Sequence, residues 1–257
     1  FAGIRFLFAG ILVTILAIIQ KRKFKVEQKS VVAWLLLFAL VNTALHYLFS
    51  YVGLGYLPSS RSTILDSMNG FFAIILSCII FEDDKFSKFK ALGCILGFGG
   101  ILLINIEPGQ NFFQGISFRG DGMILLNAMC GAFGGIITRI ISKKMDMTVA
   151  TSLSMTIGGA FLCVVSAIIG PAARWTITTE SIIIMIGLIL ISAVCFGVYN
   201  QLLAYHPISK IAIFNAFIPI LGVIFSSIIL GEPMRVKYII AGCIVALGVY
   251  VMNHFSK

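Results

Sequence analysis

Nine long apolar runs fill most of this 257-residue chain, broken only by short polar or basic segments. They cover about 1–20, 31–53, 59–81, 91–106, 122–142, 147–169, 181–205, 208–230 and 238–254. A helix needs about 20 mostly apolar residues to cross the hydrocarbon core of a bilayer. Backbone exposed to lipid must satisfy its own hydrogen bonds, which leaves helices or closed barrels. Barrel strands alternate apolar and polar residues, and these runs do not alternate. The pattern predicts an all-α polytopic membrane protein. Composition agrees: 59% of residues are hydrophobic and 11% charged, against roughly 45–50% and about 25% in soluble domains. A soluble enzyme, a nucleic-acid-binding domain and a disordered chain are all excluded on this ground.

The net charge of +9 is unevenly spread. Lys21, Arg22, Lys23, Lys25, Lys29, Lys85, Lys88, Lys90, Arg139, Lys143, Lys144, Lys210 and Lys257 fall in loops and ends on one side of the nine crossings. Arg5, Arg61, Arg119, Arg174, Arg235 and Lys237 fall on the other. Basic loops stay in the cytoplasm, so the C-terminus is expected inside and Phe1 outside. The charge is a matter of topology, not of a nucleic-acid partner.

The sequence aligns with itself, without gaps, at an offset of 149 residues. LGYLPSSRSTI (54–64) falls on LAYHPISKIAI (203–213), and ILSCIIFEDD (75–84) on IFSSIILGEP (224–233). Over residues 54–99 there are 14 identities in 46 positions, with Tyr-x-Pro-x-Ser and Gly-Cys-Ile in register. The division expected is a first repeat over 1–106, a linker loop over 107–121 and a second repeat over 122–257. Shifted back by 149, the fifth run would lie before Phe1, so the first helix of the first repeat is expected to be missing from this sequence. Restoring it gives ten transmembrane helices in two five-helix repeats, nine of them present here. An odd number per repeat makes the two inverted in the membrane. Inverted repeats around a midplane site are a mark of secondary transporters.

Three stretches carry a family resemblance: GIRFLFAGIL, YVGLGYLPSSRSTILDSMNGFFAIILSCIIFEDD with GCILGFGGILLIN, and YNQLLAYHPISKIAIFNAFIPILGVIFSSIILGEPMRVKYIIAGCIVALGVYVMN. They resemble the two repeats of EamA-type transporters of the drug/metabolite transporter superfamily, across essentially the whole chain. The resemblance implies a central cavity lined mainly by the second, third, seventh and eighth runs of this sequence. It also implies export or exchange of small metabolites, commonly amino acids or amphipathic compounds. FED at 81–83 departs from the LGE pattern that the second repeat keeps at 230–232.

Polar residues inside spans are costly and call for a partner or a cavity. In the second run, Asn42, His46, Ser50 and Gly53 share one helical face, and Thr43, Tyr47 and Tyr51 form the adjacent stripe. That face reads as a cavity wall or as hydrogen bonding between packed helices. In the third run, Ser59, Ser62, Asp66, Gly70, Ala73 and Ser77 share a face, and Asp66 is the acid placed well inside a span. It is a candidate proton carrier, counter-ion for a substrate amine or partner of an internal cation; the structural reading is an ion pair or a capping role, with Ser62 four residues before and Asn69 three after. Arg61 falls on Lys210 under the repeat, each just after a proline. Gates, substrate-carboxylate anchors and snorkelling to headgroups all remain open for them. The seventh run offers Cys195, Tyr199 and Asn200, and the eighth Asn215, Pro219 and Gly222. Pro219 is expected to break its helix and free a carbonyl. Asn127 of the fifth run is expected opposite these residues. The substrate-binding set is therefore Asn42, His46, Tyr47, Ser50, Arg61, Ser62, Asp66, Asn127, Cys195, Tyr199, Asn200, Asn215 and Pro219. Gly93-x3-Gly97, Gly131-x3-Gly135 and Gly242-x3-Ala246 suit close helix approach.

No catalytic, metal or cofactor signature is present. There is no G-x4-GK[ST], HExxH or G-x-S-x-G, and the six cysteines and three histidines have no metal-ligand spacing. The sequence reading is thus not an enzyme but a secondary transporter of a small amphipathic or zwitterionic metabolite, exporting it by alternating access. It would have lipid around it, proton coupling as an option, no nucleic-acid partner, and a monomeric or weakly dimeric state in a bacterial inner membrane. The alternative is a non-transporting membrane enzyme or receptor module on a related scaffold.

Overall fold

A computed structural model describes residues 1–24, 29–81, 87–105, 116–169, 178–206, 217–233 and 235–254. These residues form nine helices: α1 (Ala2–Ile19), α2 (Lys29–Leu54), α3 (Ser59–Ile80), α4 (Lys88–Asn105), α5 (Phe118–Ile141), α6 (Met147–Ile169), α7 (Thr179–Tyr205), α8 (Phe217–Leu230) and α9 (Val236–His254). Six of them, α1, α2, α3, α5, α6 and α7, are long and apolar enough to cross a membrane, and shorter apolar stretches occupy Ile218–Leu230 and Val236–Val251. Their outward faces carry large apolar side chains, with Ile79 75%, Ile168 78% and Ile183 64% exposed. In water such surfaces would drive association. In lipid they are the solvated face. The protein is an integral, multi-pass, all-helical membrane protein.

Three helices depart from regular α geometry: α5 opens with π-helical turns over Phe118–Gly122, and α2 and α3 depart within the span, where polar residues gather. In α2 the backbone widens into π-helical turns over Ala39–Leu45, around Asn42 and Thr43. Such bulges interrupt the hydrogen-bond ladder and re-aim side chains. In α3 the helix breaks at Ser67, directly after Asp66, where the Ser67 hydroxyl donates to the Ile64 carbonyl. A hydroxyl bonding back to its own helix is a recognised cause of bending.

The chain forms two compact units: Phe1–Leu48 with Gly134–Tyr205, and Phe49–Phe133 with His206–Lys257. In the first unit α1 packs along α6 and α7, and α2 packs on α6 mainly through Ala39–Leu45. Glycines set the α1–α6 approach. A Cβ at Gly10 would lie 2.5 Å from the Thr156 amide nitrogen, and one at Gly159 would lie 2.5 Å from that of Leu7. Gly10 and Gly159 are 149 residues apart, as are Leu7 and Thr156, so the two contacts exchange under the sequence offset. The core here joins Phe6, Ala9, Val13, Met155 and Leu162, with a second cluster around Phe38, Leu35 and Ile141.

In the second unit α4 packs along α9, and α8 packs on α3 and α9. A Cβ at Gly248 would lie 2.8 Å from the Gly93 carbonyl oxygen, and one at Gly100 would lie 2.5 Å from Val245 Cγ2. The expected approach at Gly93-x3-Gly97 is present, with Gly248 as its partner, whereas Gly242 of Gly242-x3-Ala246 makes none: a Cβ there would lie no nearer than 3.7 Å, to the Pro219 carbonyl oxygen. In the first unit, a Cβ at Gly135 would meet nothing within 4 Å, whereas one at its neighbour Gly134 would lie 2.5 Å from Asn42 Oδ1. Ile64, Leu65, Met68, Phe71, Ile124 and Val223 fill the second unit's core.

Candidate functional site

In the second unit the polar groups cluster at the start of α3. Gly231, at φ 65°, ends α8 in the left-handed conformation that favours glycine. The chain turns there, and Glu232 reaches the first turn of α3. Its carboxylate accepts from the Ser59 amide (2.7 Å), the Ser60 amide (3.1 Å) and the Ser60 hydroxyl (2.6 Å). Amides at a helix N-terminus have no partner within the helix, and an anion there also faces the positive end of the dipole. Partial burial works to raise the Glu232 pKa. The Ser60 hydroxyl and the Ser59 and Ser60 amides outweigh that and hold the carboxyl at about 2. The first repeat has Phe81 where α8 ends in Leu230. Phe81 leaves α3 extended, at φ −111°, and residues 82–86 lie outside the described region.

One residue further on, Arg61 is held by Asp121 of α5. Nε donates to Oδ1 at 2.8 Å, and NH2 lies 2.6 Å from the same oxygen. Both side chains are shielded, 15% and 4% exposed. Asp121 also accepts from the Ser117 amide at 2.9 Å. Arg61 is thus engaged with a carboxylate rather than extended towards headgroups. About a turn deeper, Asp66 Oδ1 accepts from Asn127 Nδ2 at 2.5 Å. The expected local partners, Ser62 and Asn69, are not those seen; the amide comes from a different helix. Ser62 is buried and its amide bonds to the Pro58 carbonyl. Ser50 is half-buried. Pro219 is buried, two residues after the first described residue of α8. Asn215 and Lys210 lie outside the described residues.

In the first unit, half-buried Asn42 lies against Gly134. His46 meets Tyr47 edge-on at 4.8 Å between centroids, and Tyr47 lies 4.0 Å from Phe6 and 5.9 Å from Phe196. Asn200 is buried and donates to Thr151 Oγ1 at 3.0 Å. Cys195 and Tyr199, one position round α7, are exposed. The candidate set therefore divides: Asn42, His46, Tyr47 and Asn200 belong to the first unit with Cys195 and Tyr199, and Ser50, Arg61, Ser62, Asp66, Asn127 and Pro219 belong to the second.

Several polar residues escaped sequence reasoning. Asp121 stands in a short polar stretch at 119–122 and Glu232 in the LGE of 230–232, and neither local pattern says which helix its carboxylate meets. The buried Thr148, Thr151, Ser152 and Ser154 of α6 bond to Gln201, Asn200, the Val149 carbonyl and Thr43. Their signal was present as a run of hydroxyl residues at one end of an apolar span. Arg5, grouped with the outer loops by charge, instead donates from Nε to Ser192 Oγ at 2.7 Å, in the middle of the 27-residue α7.

Apolar outer surfaces, bent spans and charged groups paired inside the packing define a multi-pass helical membrane protein. The chain belongs to the EamA-like transporter family, whose model matches residues 1–106 and 118–254. It is 27% identical over 261 residues to the uncharacterized transporter YvbV of Bacillus subtilis, covering 100% of this chain and 83% of that protein. It is 22% identical to the uncharacterized transporter YoaV of the same organism, over 100% of this chain and 87% of that one. A chloroplastic WAT1-related protein of Arabidopsis thaliana is 25% identical over 98% of this chain and 62% of its own length. One solved crystal structure has a TM-score of 0.70 at 11% identity, covering 99% of this chain and 87% of that chain, a likeness in fold alone.

Proposed function

We propose that this protein is a secondary transporter that moves a small amphipathic or zwitterionic metabolite, amino-acid-like or drug-like, by alternating access and in the export direction. The observation that carries the proposal is the exchange of the Gly10–Thr156 and Leu7–Gly159 contacts under the 149-residue offset. In an antiparallel helix pair, such an exchange is what a two-fold axis between inverted repeats produces, and inverted repeats support rocking of one half against the other. On this reading the repeats are 1–106 and 122–257, with 107–121 as linker. The membrane is a bacterial inner membrane, and the C-terminus is cytoplasmic. Asp66, bonded to an amide beside a break in α3, handles a proton or a substrate amine. Arg61 and Asp121 form a gate pair on the outer side.

The test is counterflow in proteoliposomes made with the full-length protein, preloaded in turn with amino acids, amines and nucleobases at two pH values. Saturable exchange with one pool supports transport and identifies the substrate class. Absence of exchange with every pool, from folded protein, overturns the reading.

A further inference from the structure

At the end of the first unit where α1, α5 and α7 finish and α6 begins, the chain surrounds an open cavity of about 720 Å³. Its wall comes from residues 20–23, from the turn between α5 and α6, and from the end of α7. Four cations, Lys21, Arg22, Lys23 and Lys144, line it against one acid, Asp146. That acid is already engaged. Its Oδ1 accepts from the Thr148 and Val149 amides, at 2.8 and 3.3 Å, which caps α6, and its Oδ2 lies 3.3 Å from Arg22 NH1. Among the described residues, Lys21, Lys23 and Lys144 have no acid partner. Lys144 Nζ lies 5.7 Å from the centroid of the Trp34 ring, a contact that orients an ammonium and leaves its charge intact. The turn after α1 sets the other cations in place. The Lys21 amide bonds to the Ile18 carbonyl and the Arg22 amide to the Ala17 carbonyl, the pair of bonds that ends many helices at a glycine. Here the left-handed position, at φ 53°, is held by Lys21. A lysine there carries backbone strain that glycine would avoid, and such strain gathers at functional positions.

The position of the cavity decides what fits it. It lies where apolar spans end, which is the level of the lipid headgroups. Ile18 and Ile19, in the last turn of α1, are exposed and offer a surface for acyl chains next to the cations. Tyr205 of the wall is exposed as well, and tyrosine collects at this boundary because one end of it is apolar and the other polar. A soluble anion would meet the charge and not the apolar surface. We infer that the cavity binds the phosphate of an anionic phospholipid, with Lys21, Lys23 and Lys144 as its cationic contacts. Basic pockets between helix ends hold anionic headgroups by this combination of charge and depth. The inference concerns the first unit alone. It rests on the membrane setting of that unit and not on the transport reading.

The experiment titrates the full-length protein, in a neutral detergent, with dioleoyl phosphatidylglycerol or dioleoyl phosphatidylcholine and reads the bound lipid by native mass spectrometry. Glycerol 3-phosphate is the soluble probe. Wild type should hold the anionic lipid at least about tenfold more tightly than the zwitterionic one. Each cation beside an anionic headgroup is worth about fivefold in affinity, so Lys144→Gln should weaken phosphatidylglycerol about fivefold and Lys21→Gln/Lys23→Gln/Lys144→Gln about 100-fold. Lys143→Gln, at an exposed neighbour outside the wall, should change it less than about twofold, because solvent and salt screen that charge. If the triple variant does not fold, Lys23→Gln/Lys144→Gln leaves the turn at Lys21 intact and should weaken the lipid about 25-fold. Equal retention of the two lipids by folded wild type, or equal effects of Lys143→Gln and Lys144→Gln, overturns the inference. Lysine-dependent binding of glycerol 3-phosphate as tight as that of the lipid overturns the lipid as the occupant. Lysine-dependent lipid binding in a protein that shows no exchange keeps this site and overturns the transport reading.

Discussion

Arg61 and Asp121 oppose one charge with another inside the protein, and the value of the pair shows when one partner is removed. A buried ion pair is close to neutral against an apolar replacement, but a single deletion strands the remaining charge at a cost of about 3–5 kcal/mol. Arg61→Gln or Asp121→Asn alone should therefore lower thermal stability in detergent sharply. The Arg61→Leu/Asp121→Leu double variant should be less destabilised than the sum of the singles. Additive losses would show that the two side chains act independently. Asp66→Asn poses a different question, because an amide there can still bond to Asn127. That variant should remain monodisperse and lose exchange in the counterflow assay. Normal exchange would remove Asp66 from the mechanism.

At the scale of elements, helix ends and helix crossings carry the testable content. Glu232 is held ionised at the start of α3, with its pKa pulled from 4.5 to about 2. A depressed carboxyl pKa stabilises the folded state above the unfolded value, and that stability is lost as pH falls through the folded one. Thermal stability should therefore decline between about pH 4.5 and 2 through this cap, and Glu232→Gln should flatten that part of the profile. An identical slope in the variant would show that other carboxylates dominate. The α1–α6 crossing depends on close backbone approach. Gly10→Val and Gly159→Val each force a side chain against an amide nitrogen and should cost about 1–3 kcal/mol. Their offset-related positions predict losses of similar size. Gly135→Ala, with open space around its Cβ, should be neutral or slightly stabilising through helix propensity. Thermal unfolding of the three variants in one detergent provides the comparison.

For the whole molecule, the basic loops set the expected topology. In a cysteine-free background, a cysteine replacing Lys144 should be labelled by an impermeant thiol reagent only from the cytoplasmic side, and one replacing Thr178 only from outside. The opposite pattern would invert the orientation proposed here. Much of the fold was legible in the amino-acid sequence. Helix positions follow from the length of apolar runs and from breakers such as Pro58 and Gly231, and both act over a few residues. The family was legible for the same reason, since the repeated Tyr-x-Pro-x-Ser and Gly-Cys-Ile patterns lie within single segments. The partnerships were not. Arg61 finds Asp121 60 positions away, and Arg5 finds Ser192 187 positions away. A hydrophobic period shows which face of a helix is polar, but not which helix that face meets. Arg5 is the clearest case, since its place near the start of an apolar run suggests an interface, while the packing of α1 on α6 and α7 sets it level with the middle of both. The sequence by itself determined a membrane-spanning helical transporter, through short-range apolar length and local repeat identity. Only the tertiary structure decided which buried charges have partners and how deep they sit, because those properties depend on contacts between segments far apart in the chain.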